Sequence, residues 1–94
     1  MRELILTDRL RKSFAKYIKK HPLSKDKIFQ TLDLLRKDVY SPHLYTHKLS
    51  GALIGLKACS CGFYCRILFS VKNDSETEAE TIILLDIGTH EELY

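Results

Sequence analysis

The fold is decided by the stretch Phe63-Tyr64-Cys65-Arg66-Ile67-Leu68-Phe69-Ser70-Val71, whose side chains alternate with the period of two of a β-strand. Its odd-numbered residues are all apolar and share one face, which suits a hydrophobic core. The even-numbered residues share the other face and include Arg66. Because a charged side chain is rarely buried without a partner, the pattern predicts Arg66 on the face that the core leaves open.

Working outward from this strand, the same kind of pattern predicts four more. Strands are expected at residues 2–6, 44–49, 53–60 and 81–87, the last being a nearly continuous apolar run that favours burial on both faces. Ser50-Gly51 and Cys61-Gly62 are predicted to form the turns between the middle strands, and residues 72–78 form a polar loop. Whether Lys57 shares the face of Arg66 depends on a strand register that the sequence does not determine.

Two helices are predicted between the first strand and the second. Thr7 is expected to cap the first helix and His21-Pro22 to end it, while Ser24 is expected to cap the second helix, which ends before Ser41-Pro42. Both contain apolar residues three or four positions apart; these are Leu10, Phe14 and Ile18 in the first helix and Ile28, Phe29, Leu32 and Leu35 in the second. The whole chain, residues 1–94, therefore reads as one α+β domain in which a helical hairpin covers one face of an antiparallel sheet.

Charge is distributed unevenly along the chain. Residues 1–50 contain 12 Lys and Arg against 5 Asp and Glu, a net charge of +7, whereas residues 51–94 contain 3 against 7, a net charge of −4. The basic half is the candidate surface for a polyanion, or for a partner with an acidic segment, although a solvated helix face would look the same.

The three cysteines, Cys59, Cys61 and Cys65, bear on compartment and metal binding. No apolar run approaches the roughly 20 residues that cross a bilayer, and the N-terminus does not read as a signal peptide, so we expect a cytoplasmic protein with free thiols. A zinc site is disfavoured because structural zinc generally takes four ligands and catalytic zinc three with a water. A structural role accounts for the cysteines equally well, because cysteine is a small apolar side chain that can pack across two strands.

The end of the sequence carries residues that packing alone does not explain. Thr89-His90-Glu91-Glu92 has the form of a capping box, so a short helical turn is predicted to begin at Thr89 and to carry His90 and Tyr94. A surface His at a helix end and a Tyr packed on the sheet edge are the simpler interpretations. The alternative for Arg66 is a structural ion pair with Asp86 in the last strand.

Three segments in this order resemble the RelE/ParE superfamily of bacterial toxin–antitoxin systems, particularly its YafQ-like mRNA interferase branch. They are His47-Lys48-Leu49-Ser50-Gly51, Phe63-Tyr64-Cys65-Arg66-Ile67-Leu68-Phe69, and Ile87-Gly88-Thr89-His90-Glu91-Glu92-Leu93-Tyr94. The resemblance covers most of the chain, from about Leu10 to Tyr94. It implies a RelE-like fold and an endoribonuclease toxin that cleaves mRNA on the ribosome without a metal or other cofactor. The implied partners are a cognate antitoxin and, only through the antitoxin complex, operator DNA; no membrane is implied.

In that chemistry a ribose 2′-hydroxyl attacks the adjacent phosphate, which requires a base, an acid and a cation for the developing charge. The resemblance assigns His90 as the general acid or base, His47 as its partner, Arg66 as the phosphate-stabilising cation and Tyr94 as a stacking or proton-relay group. It also implies RNA contacts from Lys48, Lys57 and Tyr64. Histidine suits either proton role because its ordinary pKa lies near neutrality.

One turn departs from the YafQ-like pattern. That branch has a further His and an Asp where this chain reads Ser60-Cys61-Gly62-Phe63-Tyr64. Tyr64 is a poor substitute base because an ordinary phenol has a pKa near 10. Three functions therefore stay open: a ribosome-dependent mRNA interferase whose catalysis is slow or differently divided, a ParE-like inhibitor of DNA gyrase, which needs no histidine pair, and an inactive module that binds an antitoxin and its operator.

Overall fold

The computed structural model describes residues 2–62, 64–77 and 79–93. It contains three α-helices and five strands, with short 3₁₀ turns between them. In chain order these are β1 (Glu3–Leu6), α1 (Asp8–Lys20), α2 (Lys25–Lys37), β2 (His47–Lys48), β3 (Lys57–Ser60), β4 (Cys65–Asn73), β5 (Glu80–Thr89) and α3 (His90–Leu93). The predicted α+β class is confirmed. Within the described residues, no helix has both the length and the apolar character needed to cross a membrane.

Residues near their ends determine where the two long helices begin and end. The sequence predicted the start of α1 correctly but not how α2 begins. Thr7 caps α1 as predicted, since its Oγ1 accepts a hydrogen bond from the Leu10 N–H at 3.2 Å, and α1 ends at the residue before His21-Pro22. The prediction that Ser24 caps α2 is wrong. Ser24 makes no capping hydrogen bond because a 3₁₀ turn, Pro22–Ser24, leads directly into α2 and gives Ser24 helical dihedrals.

The strands form one sheet in the order β1-β5-β4-β3-β2. All neighbours are antiparallel except β1 and β5, which run parallel, with Ile5 opposite Ile83. A parallel pair needs a long crossover connection, and here the connection contains almost the whole chain. The sheet is therefore mostly antiparallel, with β5 lying between the first strand and the rest.

The core lies between the sheet and the helical hairpin. On β4, Cys65, Ile67 and Phe69 are buried on the face predicted from their alternation; Phe63, assigned to the same face, lies outside the described residues. A bulge between Leu68 and Phe69 of β4 leaves Leu85 of β5 as the extra residue. The largest fully buried side chains are Phe69, Ile28, Leu35, Leu44, Ile67, Ile82 and Leu84, together with the three cysteines.

The segment from residue 41 to residue 56 differs most from prediction. The strand expected at residues 44–49 shrinks to β2, and the strand expected at residues 53–60 shrinks to β3, because 3₁₀ turns occupy Pro42–Leu44 and Gly51–Leu53. Gly51 and Gly55 have φ values of 66° and 92°, which glycine adopts without a steric penalty and a strand does not use. The alternation of apolar and polar residues does not predict these turns.

The expectation of three free thiols is wrong for two of the cysteines. Cys61 and Cys65 are joined by a disulfide across the turn between β3 and β4, with their Cα atoms 4.9 Å apart. Cys59 is free and buried, and its burial raises the pKa of its thiol to about 12 even though the positive charge of Arg66 acts in the opposite direction. Within the described residues, no group of three His, Cys, Asp or Glu side chains is placed to hold a metal ion.

We expect Leu35→Ala to lower the free energy of unfolding by about 2–5 kcal/mol, because Leu35 is 0% exposed within the core and its truncation leaves a cavity. Urea denaturation followed by circular dichroism measures this change. Leu23→Ala is the matched control, since Leu23 is 98% exposed and the same truncation is expected to change stability by less than about 0.5 kcal/mol. Equal effects of the two substitutions would contradict the packing described here.

We also expect the Cys59 thiol to resist alkylation by iodoacetamide at pH 8 in the folded protein. Burial both blocks access and raises its pKa to about 12, so the reactive thiolate is scarce. Peptide mass mapping should show rapid modification of Cys59 only after urea is added. Rapid labelling without urea would show that β3 is not packed as described.

Candidate functional site

Arg66 is the central residue of the candidate site. The strand register places it opposite Ser60 of β3 on one side and opposite Gly88 of β5 on the other. It lies on the face away from the helices, as its alternation predicted. Because both cross-strand neighbours are small, the long side chain of Arg66 is not crowded by the sheet around it.

The turn between β3 and β4 holds one end of the Arg66 guanidinium. Its Nη1 donates to the carbonyl oxygens of Cys65 at 2.8 Å and Gly62 at 3.3 Å, and to Oγ of Ser60 at 3.4 Å. Ser60 in turn donates to the Gly62 carbonyl at 3.0 Å, and the Cys61–Cys65 disulfide closes the same turn. Carbonyl dipoles therefore orient the cation without removing its charge.

The predicted alternative for Arg66, an ion pair with Asp86, is not what the structure contains. Oδ2 of Asp86 pairs with Nε of Arg9 in α1 at 3.1 Å, and Oδ1 accepts a hydrogen bond from the Ile87 N–H at 2.9 Å. None of the four ion pairs among the described residues includes Arg66. The positive charge of Arg66 is accordingly available to an anion from solution.

The capping box at the end of β5 is confirmed and positions His90 at the start of α3. The Thr89 N–H donates to Oε1 of Glu92 at 2.9 Å, and the Glu92 N–H donates to Oγ1 of Thr89 at 3.3 Å. The hydrogen bond that the Thr89 N–H donates to the carboxylate, aided by the Thr89 side chain and by the charges of Lys20 and Lys16, lowers the pKa of the Glu92 carboxyl. A Cβ at Gly88 would lie 3.2 Å from Oε1 and 3.3 Å from Cβ of Glu92, so a larger residue would require Glu92 to move by a few tenths of an ångström.

Two hollows in the surface meet at Arg66. The first has a volume of about 310 Å³ and contains His90; the residues that line it are Tyr64, Arg66, Thr89, His90 and Glu91. The second has a volume of about 480 Å³ and contains His47; the residues that line it are Tyr45, His47, Ser60, Gly62 and Arg66. The sheet thus brings a cation between two imidazoles that are 43 positions apart in the sequence.

The ring of His47 has a defined orientation. Its Nδ1 lies 3.1 Å from the carbonyl oxygen of Tyr45, which is only an acceptor, so Nδ1 is the nitrogen that carries the hydrogen. In the neutral ring Nε2 then carries the lone pair and is the basic nitrogen. An imidazole held in this way can take or return a proton beside Arg66.

Not every predicted site residue lies at these hollows. Lys57 pairs with Phe69, and Lys48 pairs with Lys57, so both lysines lie on the face opposite Arg66. Tyr94 lies outside the described residues. Sequence reasoning missed Tyr45, which lines the second hollow, because the interpretation of residues 44–49 as a strand gave residue 45 no distinctive position.

Comparison with known proteins gives a consistent answer at the level of fold. No protein-family model and no curated protein sequence matches the chain. Among solved structures, YafQ from Escherichia coli strain BL21(DE3) matches with a TM-score of 0.78 and 14% identity, covering 100% of this chain and 99% of YafQ. A copper-bound mutant of a toxin from Helicobacter pylori matches with a TM-score of 0.72 and 25% identity, covering 100% of both chains.

A third match extends the likeness to another named toxin. The YoeB/ParE toxin from Agrobacterium tumefaciens aligns with a TM-score of 0.75 and 11% identity, covering 94% of this chain and 98% of that one. Each of these alignments covers at least 94% of both chains, so the likeness extends over the whole domain rather than one motif. The chain therefore has a RelE-like fold, which it shares with these toxins.

Proposed function

We propose that this protein is the toxin of a type II toxin–antitoxin system and that it cleaves mRNA on the ribosome. The observation that carries the proposal is the position of Arg66, whose charge no acid of the described chain neutralises, between the hollow that contains His90 and the hollow that contains His47. A phosphodiester bound at Arg66 would have an imidazole on each side. Cleavage by an internal hydroxyl needs a base, an acid and a cation, and this arrangement offers all three.

The proposed reaction divides three tasks among these side chains. One histidine removes the proton from the ribose 2′-hydroxyl as its oxygen attacks phosphorus, and the other donates a proton to the departing 5′-oxygen. In-line attack places the entering and leaving oxygens on opposite sides of phosphorus, which matches two imidazoles that flank one cation. The Arg66 guanidinium, oriented in advance by carbonyl oxygens, stabilises the negative charge that develops on the phosphoryl oxygens.

The other predicted residues have supporting parts in this proposal. Tyr64 is exposed and lies in the same hollow as His90, where its ring can stack on a base. Lys48 and Lys57 lie on the other face of the sheet and would act on RNA through their charge. Tyr94 stays a predicted stacking or proton-relay residue.

The proposed protein partner is a cognate antitoxin. E. coli YafQ has been solved with its antitoxin DinJ, and in that complex YafQ matches this chain with a TM-score of 0.71 and 18% identity, covering 99% of this chain and 97% of YafQ. Operator DNA would be bound only through the antitoxin complex. Inhibition of DNA gyrase is the weaker candidate, because it gives the two histidines beside Arg66 no task.

Expression of this chain alone is expected to arrest growth, and His90→Ala is expected to relieve the arrest because it removes one of the two proton-transfer groups. Growth curves after induction, with protein levels checked by immunoblot, measure both. His43→Ala is the matched control, since His43 is exposed in the Pro42–Leu44 turn and lines neither hollow; it should leave the arrest unchanged. Normal growth with folded wild-type protein would contradict the toxin proposal, and arrest with DNA damage during continued translation would favour gyrase.

Arg66→Gln is expected to slow cleavage of translated mRNA by about 10²–10³-fold, since it removes the charge that stabilises the transition state. Arg66→Lys should retain part of the rate, because a lysine keeps the charge but not the planar fork. Mapping of 5′ ends in an in vitro translation reaction gives the rate and the cut positions. Arg11→Gln, on the exposed surface of α1, is the control; equal loss in both Gln variants would show a general charge effect rather than a role for Arg66.

A further inference from the structure

Tyr45 has a backbone conformation that tyrosine rarely adopts. Its φ of 51° and ψ of 41° lie in the left-handed region, and it is the only residue other than glycine with a positive φ among those that the structure describes. For a bulky side chain this conformation is unfavourable, and glycine or asparagine adopts it more readily. Burial of the ring does not offset the cost, because Tyr45 is 75% exposed.

The conformation itself is imposed by the residues on either side. Leu44 is 1% exposed in the core, and its N–H donates to the Ser41 carbonyl at 3.0 Å. Thr46 donates from Oγ1 to the Val39 carbonyl at 2.6 Å. The chain must therefore turn at residue 45 before β2 begins at His47. Packing accounts for the turn, but it does not account for a tyrosine at that position.

The location of Tyr45 explains why a tyrosine occupies this position. It lines the hollow of about 480 Å³ that also contains His47 and Arg66, and its carbonyl oxygen is the acceptor that orients the His47 ring. An exposed aromatic side chain in the same hollow as a guanidinium suits a ligand that combines a flat ring with an anion. A nucleotide has both, and aromatic stacking binds bases with little regard to their identity. Strained residues are retained where function requires them.

We propose that Tyr45 stacks on a base of the RNA strand whose phosphate is bound at Arg66. This inference rests on the proposed function and assigns the second hollow to one flanking nucleotide, while Tyr64 receives the nucleotide on the His90 side. The phosphate bound at Arg66 then lies between two stacked bases. The strand is held on both sides of the bond that is cleaved.

The test is binding of a 2′-O-methyl RNA hexamer, which cannot be cleaved because the attacking hydroxyl is blocked. Fluorescence anisotropy should show that Tyr45→Asn weakens binding about tenfold or more, the loss that removal of one stacked base corresponds to. Tyr45→Phe should bind like the wild type, since it keeps the aromatic face. Tyr40→Asn is the matched control, because Tyr40 is exposed but lines neither hollow.

Two further readouts separate stacking from a structural role. The thermal midpoint of Tyr45→Asn should equal or exceed that of the wild type, because asparagine tolerates the left-handed conformation. A second set of hexamers each lacks one base. Removal of the base that stacks on Tyr45 should weaken binding to the wild type but should not weaken binding to Tyr45→Asn any further, because that variant has already lost the stacking contact. A structural defect would instead lower the midpoint and weaken every hexamer alike.

The outcomes distinguish this inference from the function on which it rests. If the wild type binds the hexamer and Tyr45→Asn binds it equally well, the role of Tyr45 is refuted while RNA binding stands. A weakened Tyr45→Asn variant with no abasic coupling also refutes stacking. If the folded wild type does not bind the hexamer, the inference falls, whereas the cleaving function is judged separately by the mapping of 5′ ends in translated mRNA.

Discussion

The placement of β5 between β1 and β4 is the constraint on which the rest of the structure depends. Within the described sheet, β1 has no other strand neighbour, α1 packs against β5, and α3 begins at the residue that follows it. Ile82 and Leu84 are buried against the helices, as is Ile87 beyond the bulge. A single strand therefore anchors the first strand and one helix of the domain and also carries the candidate site to its position.

The bulge at Leu85 determines which face of β5 meets Arg66. Before the bulge the even-numbered residues face the helices, and after it the odd-numbered residues do, because one extra residue reverses the alternation. Gly88 is thereby placed opposite Arg66 on the open face, where its missing side chain admits Glu92. With regular alternation Gly88 would point into the core, and α3 would start from the wrong side of the sheet.

The features that sequence predicted are those that depend on neighbours in the chain. Alternation in residues 63–71, the Thr7 cap and the Thr89 capping box involve contacts across a few residues, and those that the structure describes were correct. Some features that were missed are also local, such as the Pro22–Ser24 turn that replaces the Ser24 cap and the Cys61–Cys65 disulfide, but several others depend on distant contacts. The Leu85 bulge arises only when β5 pairs with β4, and the face on which Lys57 lies depends on the register of β3 against β4. The left-handed turn at Tyr45 is imposed by the packing of Leu44 in the core. The basic helices and Arg66 also lie on opposite faces of the sheet. Counting charges along the sequence cannot show this, because it contains no information about faces.

The parallel pairing of β1 with β5 also determines when, during synthesis and folding, the sheet can be completed. Arg2 and Glu80, joined by an ion pair, are 78 positions apart, so β1 waits for its partner until nearly every other described element has been synthesised. Contacts between such distant residues form late in folding because a long loop must close first. A nascent chain that lacks β5 has neither an anchored first strand nor His90 beside Arg66. The candidate site therefore assembles only after β5 and α3 have been made, and a chain that stops before β5 is expected to be inert.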